Sequence, residues 1–126
     1  MELIIGGAYA GKLTYAVQKY GFKQNELFDL AVGLPKERDF RCFYHLEAMT
    51  KRLSAKGESA ESIYEKLSPF LGTGAVVISR EIGCGIVPMD VEERKYRETH
   101  GRLLRLIAES AGSVMRIFFG LEEKLK

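Results

Sequence analysis

Residues 2–20 constrain the fold of this chain more than any other stretch. They open with a short apolar run, Leu3-Ile4-Ile5, that is typical of a buried strand. The next seven residues, Gly6-Gly7-Ala8-Tyr9-Ala10-Gly11-Lys12, fit the pattern G-x-x-x-x-G-K. After Lys12 the apolar residues recur at helical spacing, at Leu13, Ala16 and Val17. A strand, a glycine loop and a helix in this order predict a phosphate-binding loop.

Nucleotide binding is the chemistry that such a loop predicts. Glycines let backbone N–H groups turn inward around a phosphate, and the helix N-terminus adds partial positive charge. Lys12 would bring a full charge to the β- and γ-phosphates. The alternative is a glycine-rich turn that merely joins a strand to a helix. The predicted nucleotide-binding residues are Gly6, Gly7, Ala8, Tyr9, Ala10, Gly11, Lys12, Leu13 and Thr14.

One position departs from the phosphate-loop pattern. The residue after Lys12 is Leu13, where a Ser or Thr hydroxyl normally binds Mg²⁺. Thr14 lies one position further on, about 100° around the helix. Thr14 and Glu81 are the candidate Mg²⁺ ligands, and no other part of the sequence shows metal-ligand spacing.

Length and charge exclude several classes of protein. A chain of 126 residues predicts one domain, residues 1–126. Its net charge of +2 is too small to predict a nucleic-acid or anionic-membrane partner. No apolar run approaches the ~20 residues of a membrane span. Met1 leads directly into a strand, so we expect no signal peptide, reduced thiols at Cys42 and Cys84, and a cytoplasmic protein.

Strand-like and helical segments alternate along the rest of the chain. Strands are predicted at 27–31, 41–45, 75–79 and 114–119, with helices at 46–56, from the N-cap Ser59, and at 91–111. This order predicts an α/β, P-loop NTPase-like fold with a mostly parallel sheet flanked by helices. Ligands bind at the carboxyl ends of such strands, which places Lys12 and the Arg80–Pro88 loop on one edge. The charged tail, Leu121–Lys126, is expected to be loosely held.

The second half of the chain resembles a known family. The segment Ser79-Arg80-Glu81-Ile82-Gly83-Cys84-Gly85-Ile86-Val87-Pro88 is similar to the N-E-V-G-x-G-I-V-P segment of the bifunctional adenosylcobinamide kinase/adenosylcobinamide-phosphate guanylyltransferase family of cobalamin synthesis. Residues 94–102 match its R-x-F-R-D-x-x-G-R motif, and residues 120–126 are similar to its G-x-x-x-K-x-K ending. With the opening loop, the resemblance covers residues 1–20 and 75–126.

The resemblance implies a function and its partners. It implies transfer of a phosphoryl group from ATP or GTP to the aminopropanol hydroxyl of adenosylcobinamide, a corrinoid. It also implies Mg²⁺ and a homo-oligomer, with a trimer expected. Positioning and charge neutralisation provide most of the catalysis in such reactions, so Lys12 is a predicted catalytic residue.

Four further side chains are candidates with two interpretations each. Glu81 follows a buried strand and would be catalytic there, orienting Mg²⁺ or accepting a proton, or it pairs with Lys12 or an arginine. Arg97 and Arg102 would face phosphate, or form a solvated helix face with nearby acids. His45 is a candidate nucleotidyl acceptor or a structural strand-end residue, whereas His100 is expected on a helix surface.

The middle of the chain departs from that family. The family has a longer segment here with a nucleotide-accepting His, whereas residues 33–40 contain none. Its L-L-D-C run corresponds to residues 41–47, which lack the Asp, although Glu47 is near. We therefore expect phosphoryl rather than guanylyl transfer. The alternatives are a homologue that binds nucleotide or corrinoid without turnover, and a kinase of another small metabolite.

Overall fold

Six strands form a single sheet in this computed structural model, which describes residues 1–7, 11–82 and 90–126. The strand order is β2-β3-β4-β1-β5-β6. Adjacent strands are parallel from β2 to β5, and β6 runs antiparallel to β5. The strands are β1 (Glu2–Gly6), β2 (Leu27–Asp29), β3 (Cys42–Tyr44), β4 (Val76–Arg80), β5 (Ser113–Phe118) and β6 (Leu121–Lys124).

Helices cover both faces of this sheet, which confirms the predicted α/β fold with a mostly parallel sheet. The helices are α1 (Lys12–Tyr20), α2 (Leu46–Ala55), α3 (Ala60–Leu67) and α4 (Val91–Ser110). Successive residues of a strand point to opposite faces, and β1 shows this clearly. Leu3 packs into the core under α2, α3 and α4, while Ile4 packs with Ala16 of α1. Across residues 1–7, 11–82 and 90–126, every helix is too short or too polar to span a membrane.

Local signals set the ends of the helices. Gly21 ends α1 with φ 67°, a left-handed conformation that glycine adopts without strain, and its N–H donates to the Val17 carbonyl. The Ser59 hydroxyl caps α3 by accepting a hydrogen bond from the Ser62 N–H, at 3.1 Å. Both ends are as predicted. Asp90 caps α4 in the same way, accepting from the Glu92 N–H at 3.0 Å.

The prediction of a loosely held tail is wrong. Leu121–Lys124 forms β6, joined to β5 by a turn in which Phe119 and Gly120 have φ of 50° and 74°. Lys126 then donates from Nζ to the carbonyl oxygens of Ala108 and Glu109, at 2.9 and 3.1 Å. All four side chains of β6 are exposed, so the strand lacks the apolar alternation by which a sequence predicts one.

Candidate functional site

The carboxyl ends of β1 and β4 meet at one edge of the sheet. Gly6 at the end of β1 is in register with Arg80 at the end of β4. The pairing continues one residue further, because the Glu81 N–H donates to the Gly6 carbonyl at 2.7 Å. The start of the glycine loop therefore lies beside the segment that follows β4. The rest of that segment, residues 83–89, and loop residues 8–10 lie outside the described residues.

Lys12 is the first residue of α1, and its ammonium turns back onto the loop. Nζ donates to the Gly7 carbonyl at 2.7 Å, which uses one of its three protons. Partial burial lowers the pKa of Lys12 below that of a free lysine; attraction to Glu47 opposes this shift, and repulsion from Arg80 adds to it. A partly dehydrated cation beside a second cation is a favourable environment for a phosphate group.

Two loop glycines are required by the backbone. A Cβ on Gly6 would lie 2.4 Å from the carbonyl oxygen of Ile117 and 3.3 Å from Cδ of Lys12, so any side chain there would push β1 away from β5. Gly11, the N-cap of α1, has φ 80°. Gly6 thus lets β1 lie close to β5, and Gly11 lets the chain enter α1 through a left-handed residue.

Glu47 links the start of α2 to the end of β4 at this edge of the sheet. It lies in the first turn of α2, and its Oε1 accepts a hydrogen bond from the Arg80 N–H at 2.7 Å. The same carboxylate attracts Lys12. The sequence indicated Glu47 only as an acid near a missing Asp, and Arg80 was not predicted as a site residue. Their position in the sequence could have indicated both residues as site residues. Arg80 is the last residue of a strand, and Glu47 lies in the first turn of the helix that follows a strand.

Glu81 is held by an arginine of β5. Its carboxylate forms an ion pair with Arg116, which also lies 3.5 Å from Glu123 of β6. This contact matches the interpretation in which Glu81 is paired rather than free for the substrate. The catalytic role of Glu81 stays a prediction.

Glu81→Gln separates the two interpretations. We expect the paired role, with a loss of about 1 kcal/mol or less in unfolding free energy, because the pair is partly exposed. Turnover per folded molecule and nucleotide affinity should then match wild type. The matched control is Glu123→Gln, which removes a second carboxylate that lies near Arg116. Loss of turnover in Glu81→Gln alone, with unchanged melting temperature, would establish the catalytic role instead.

The remaining predicted site residues lie in different surroundings. Arg97 is within 3.6 Å of Glu93 one turn earlier on α4, and Arg102 forms an ion pair with Glu61 of α3. Leu13 packs partly buried against the core under α1, whereas Thr14 is exposed. Phosphate contacts by Arg97 and Arg102 stay predictions.

His45 lies at the same edge of the sheet, directly after β3. Its Nδ1 donates to Oδ1 of Asp29, at the end of β2, over 2.8 Å. His45 has φ 63° and ψ 40°, a left-handed conformation that is costly for a residue with a Cβ. Asp29 was not predicted as a site residue; only the pairing of β2 with β3 brings it to His45.

The prediction that His100 lies on the surface of α4 is wrong. His100 is fully buried, with Nδ1 at 2.8 Å from the Thr50 hydroxyl and Nε2 at 2.9 Å from the Ser79 hydroxyl. Burial lowers the pKa of His100 below the ordinary histidine value. The imidazole thereby ties α2, β4 and α4 together directly beneath Arg80.

Comparison with known proteins identifies the family. A search of curated proteins gave no match. The model of one family, described as cobinamide kinase / cobinamide phosphate guanyltransferase (CobU), matches residues 42–125. The match begins at β3 and includes Glu47, Arg80 and α4, but not the glycine loop. Because it extends over more than half of the chain, this protein belongs to the cobinamide kinase / cobinamide phosphate guanyltransferase family.

Proposed function

We propose that residues 1–126 form one nucleotide-binding domain that transfers the γ-phosphoryl group of ATP or GTP to the aminopropanol hydroxyl of adenosylcobinamide. The observation that carries this proposal is the juxtaposition of Lys12, Arg80 and Glu47 at the ends of β1 and β4, in a chain of this family. The protein would act in the cytoplasm as a homo-oligomer, a trimer by resemblance, with no nucleic-acid or membrane partner.

The two cations suit the phosphate end of a nucleotide. A bound phosphate oxygen would replace the Gly7 carbonyl as the acceptor for Lys12, at a charge-assisted contact stronger than the neutral one. Arg80 would approach from β4, since it already influences the Lys12 charge. Charge neutralisation and alignment account for most of the catalysis of phosphoryl transfer, so the site needs no covalent nucleophile.

Glu47 is a carboxylate at this edge that fits Mg²⁺, whereas the predicted ligand Glu81 is paired with Arg116. Magnesium in kinase sites takes one or two carboxylates and completes its octahedron with phosphate oxygens and water. Residues 1–7, 11–82 and 90–126 contain no cluster of three or more His, Cys, Asp or Glu side chains that could hold a metal. Phosphate oxygens and water would therefore have to complete the coordination of Mg²⁺. Glu47 and Thr14 are the residues that would hold Mg²⁺, which when bound would supply charge neutralisation at the transferred phosphoryl group.

The proposed reaction is tested by measuring where the labelled phosphoryl group of the nucleotide goes. With γ-labelled ATP or GTP and adenosylcobinamide, label should appear in the corrinoid product and require both substrates. Nucleotide binding measured by calorimetry without the corrinoid is the parallel experiment. Binding with no transfer to adenosylcobinamide would overturn the proposed reaction while leaving nucleotide binding in place.

We further expect that the protein carries no covalent nucleotide. Residues 33–40, where the family has its nucleotide-accepting His, contain none, and His100 is fully buried. After incubation with α-labelled GTP and denaturation, the protein should be unlabelled. Acid-labile label that disappears in His45→Asn would show that His45 is a nucleotidyl acceptor and that guanylyl transfer survives.

The second candidate function is binding without turnover. Two observations favour it: Leu13 packs against the core where a metal-binding hydroxyl is usual, and Glu81 is held by Arg116. Such a homologue would bind nucleotide or corrinoid and release it unchanged. A third candidate, a kinase of another small metabolite, would transfer the γ-label to a different hydroxyl compound and not to adenosylcobinamide.

A further inference from the structure

Asp29 and His45 form a polar pair at the carboxyl ends of β2 and β3, separate from the Lys12 cluster. Their side chains are 31% and 54% exposed, so the pair is open to a ligand. The imidazole donates through Nδ1, which in the neutral ring leaves the lone pair on Nε2. In residues 1–7, 11–82 and 90–126, Nε2 of His45 has no hydrogen-bond partner.

The surroundings hold both members of this pair in place. Asp29 Oδ1 also accepts from the Ala31 N–H at 2.9 Å, which fixes the turn after β2. Arg52 of α2 donates to the Ala31 carbonyl at 2.8 Å, which braces that turn from the other side. The Tyr44 ring packs edge-on against the imidazole, with centroids 4.7 Å apart. The carboxylate and ring are therefore fixed before any ligand binds.

The backbone of His45 adds a second, independent observation. Among the described residues, His45 and Phe119 are the non-glycine residues with positive φ. As the N-cap of α2, His45 makes no side-chain capping bond and reaches Asp29 instead. Strained backbone of this kind is frequent where a side chain must be aimed at a ligand.

The position relative to the nucleotide site follows from the strand order. Two strand spacings of about 4.8 Å separate β3 from β1, so His45 lies about 10 Å from the start of the glycine loop. Glu47, two residues later, reaches Arg80 and influences Lys12. The pair therefore lies at the same edge of the sheet as the predicted phosphate site.

We propose that Asp29 and His45 form the general-base pair of the acceptor subsite, with His45 Nε2 receiving the proton of the hydroxyl that is phosphorylated. This proposal rests on the proposed function. As the acceptor oxygen bonds to the γ-phosphorus, the bond from that phosphorus to the β,γ-bridging oxygen breaks. The nucleoside diphosphate leaves with the electron pair, and the hydroxyl proton passes to Nε2. Asp29 positions the ring and stabilises the resulting imidazolium.

Three variants test the role of His45 in turnover. His45→Asn keeps a residue that tolerates the left-handed conformation but cannot act as base, and kcat should fall about 10²- to 10⁴-fold with nucleotide affinity unchanged. His45→Gly relaxes the backbone and opens a cavity, and added imidazole should restore its turnover in proportion to concentration. Asp29→Asn should give a smaller loss. The control is Asp39→Asn, an exposed acid in a neighbouring turn.

Chemical modification supplies a measurement that does not depend on turnover. The chain has two histidines, and His100 is fully buried, so His45 is the histidine that diethyl pyrocarbonate should acylate. A non-hydrolysable nucleotide analogue together with adenosylcobinamide should protect His45. Peptide mapping by mass spectrometry locates the modified ring.

The outcomes separate the two proposals. Wild-type turnover with normal activity in His45→Asn, or a folded His45→Gly that imidazole does not rescue, overturns the general-base role alone. Modification of His45 at the same rate with and without both ligands also overturns it. A wild type that binds nucleotide but phosphorylates no acceptor overturns the proposed function and the base role together.

Discussion

Lys12→Ala is expected to weaken nucleotide binding about 10- to 150-fold, equivalent to about 1.5–3 kcal/mol, the usual cost of losing a charge-assisted contact. The structure supports this size of effect, because the Lys12 ammonium is partly buried and already donates to the Gly7 carbonyl. A phosphate oxygen at the same place accepts from a cation that water solvates incompletely. Calorimetric titration with ATP and with GTP measures the loss directly.

The control for this substitution is on the same helix. Lys19 lies in the last turn of α1 and is 3.8 Å from Glu2, at the amino end of β1. Lys19→Ala removes one positive charge without touching the glycine loop, so nucleotide affinity should stay near that of wild type. Equal affinity in wild type and Lys12→Ala would exclude the glycine loop as the nucleotide site.

The charge of Lys12 adds a pH dependence to the same measurement. Because its pKa is lowered, Lys12 loses its proton at a lower pH than a free lysine does. Nucleotide affinity should therefore decline in the alkaline range before ordinary lysines deprotonate, and the decline should be missing in Lys12→Ala. Bound phosphate favours the protonated ammonium, so the wild-type protein should take up protons on binding in that range.

Much of the fold was predictable because its signals are local. The continuous apolar run of β4, the helical spacing after Lys12, and the stops at Gly21 and Ser59 all depend on neighbouring residues. Backbone geometry converts such patterns into elements with little tertiary information. The alternation of strands and helices then leaves a mostly parallel sheet as the arrangement expected. β6 was missed because its side chains are all exposed.

The site was less predictable because its contacts are distant in sequence. Asp29 meets His45 only through the pairing of β2 with β3, and Glu47 reaches the Arg80 backbone across 33 positions. His100 shares its helix face with Tyr96, Leu103 and Ile107, so the periodicity of α4 indicated a buried residue, and the surface prediction followed only from the polarity of histidine. Its partners, Thr50 and Ser79, come from two other elements. A sequence pattern indicates which face of a helix or strand is buried. It does not show which polar side chains form hydrogen bonds with each other inside the core.

The buried His100 network predicts the largest effect on stability. The Thr50 hydroxyl donates to the Leu46 carbonyl at 3.1 Å and lies 2.8 Å from His100 Nδ1. The Ser79 hydroxyl donates to the Arg80 carbonyl at 3.0 Å and lies 2.9 Å from His100 Nε2. His100→Leu keeps similar volume but leaves these hydroxyls without the imidazole. We expect a loss of about 2–4 kcal/mol in unfolding free energy, measured by denaturant titration.

Thr50→Val separates hydrogen bonding from packing in this network. Valine has the shape of threonine without the hydroxyl. When Thr50→Val is combined with His100→Leu, α2 therefore presents no hydroxyl to the leucine that replaces the imidazole. The double variant should therefore lose less stability than the sum of the two single variants, by about 0.5–3 kcal/mol. Strict additivity would show that the contact between Thr50 and His100 contributes nothing to stability.

The buried imidazole also makes stability depend on pH. Because the pKa of His100 is lowered in the folded protein, the unfolded chain binds the proton first, near the ordinary histidine value of about 6.5. Unfolding free energy should therefore be highest above that value and fall as pH decreases from about 7 to about 5, by at most ~1.4 kcal/mol per pH unit. The fall should persist in Thr50→Val, which keeps the histidine, and flatten in His100→Leu. An equally steep fall in His100→Leu would assign the pH dependence to other titratable groups and not to the ring beneath Arg80.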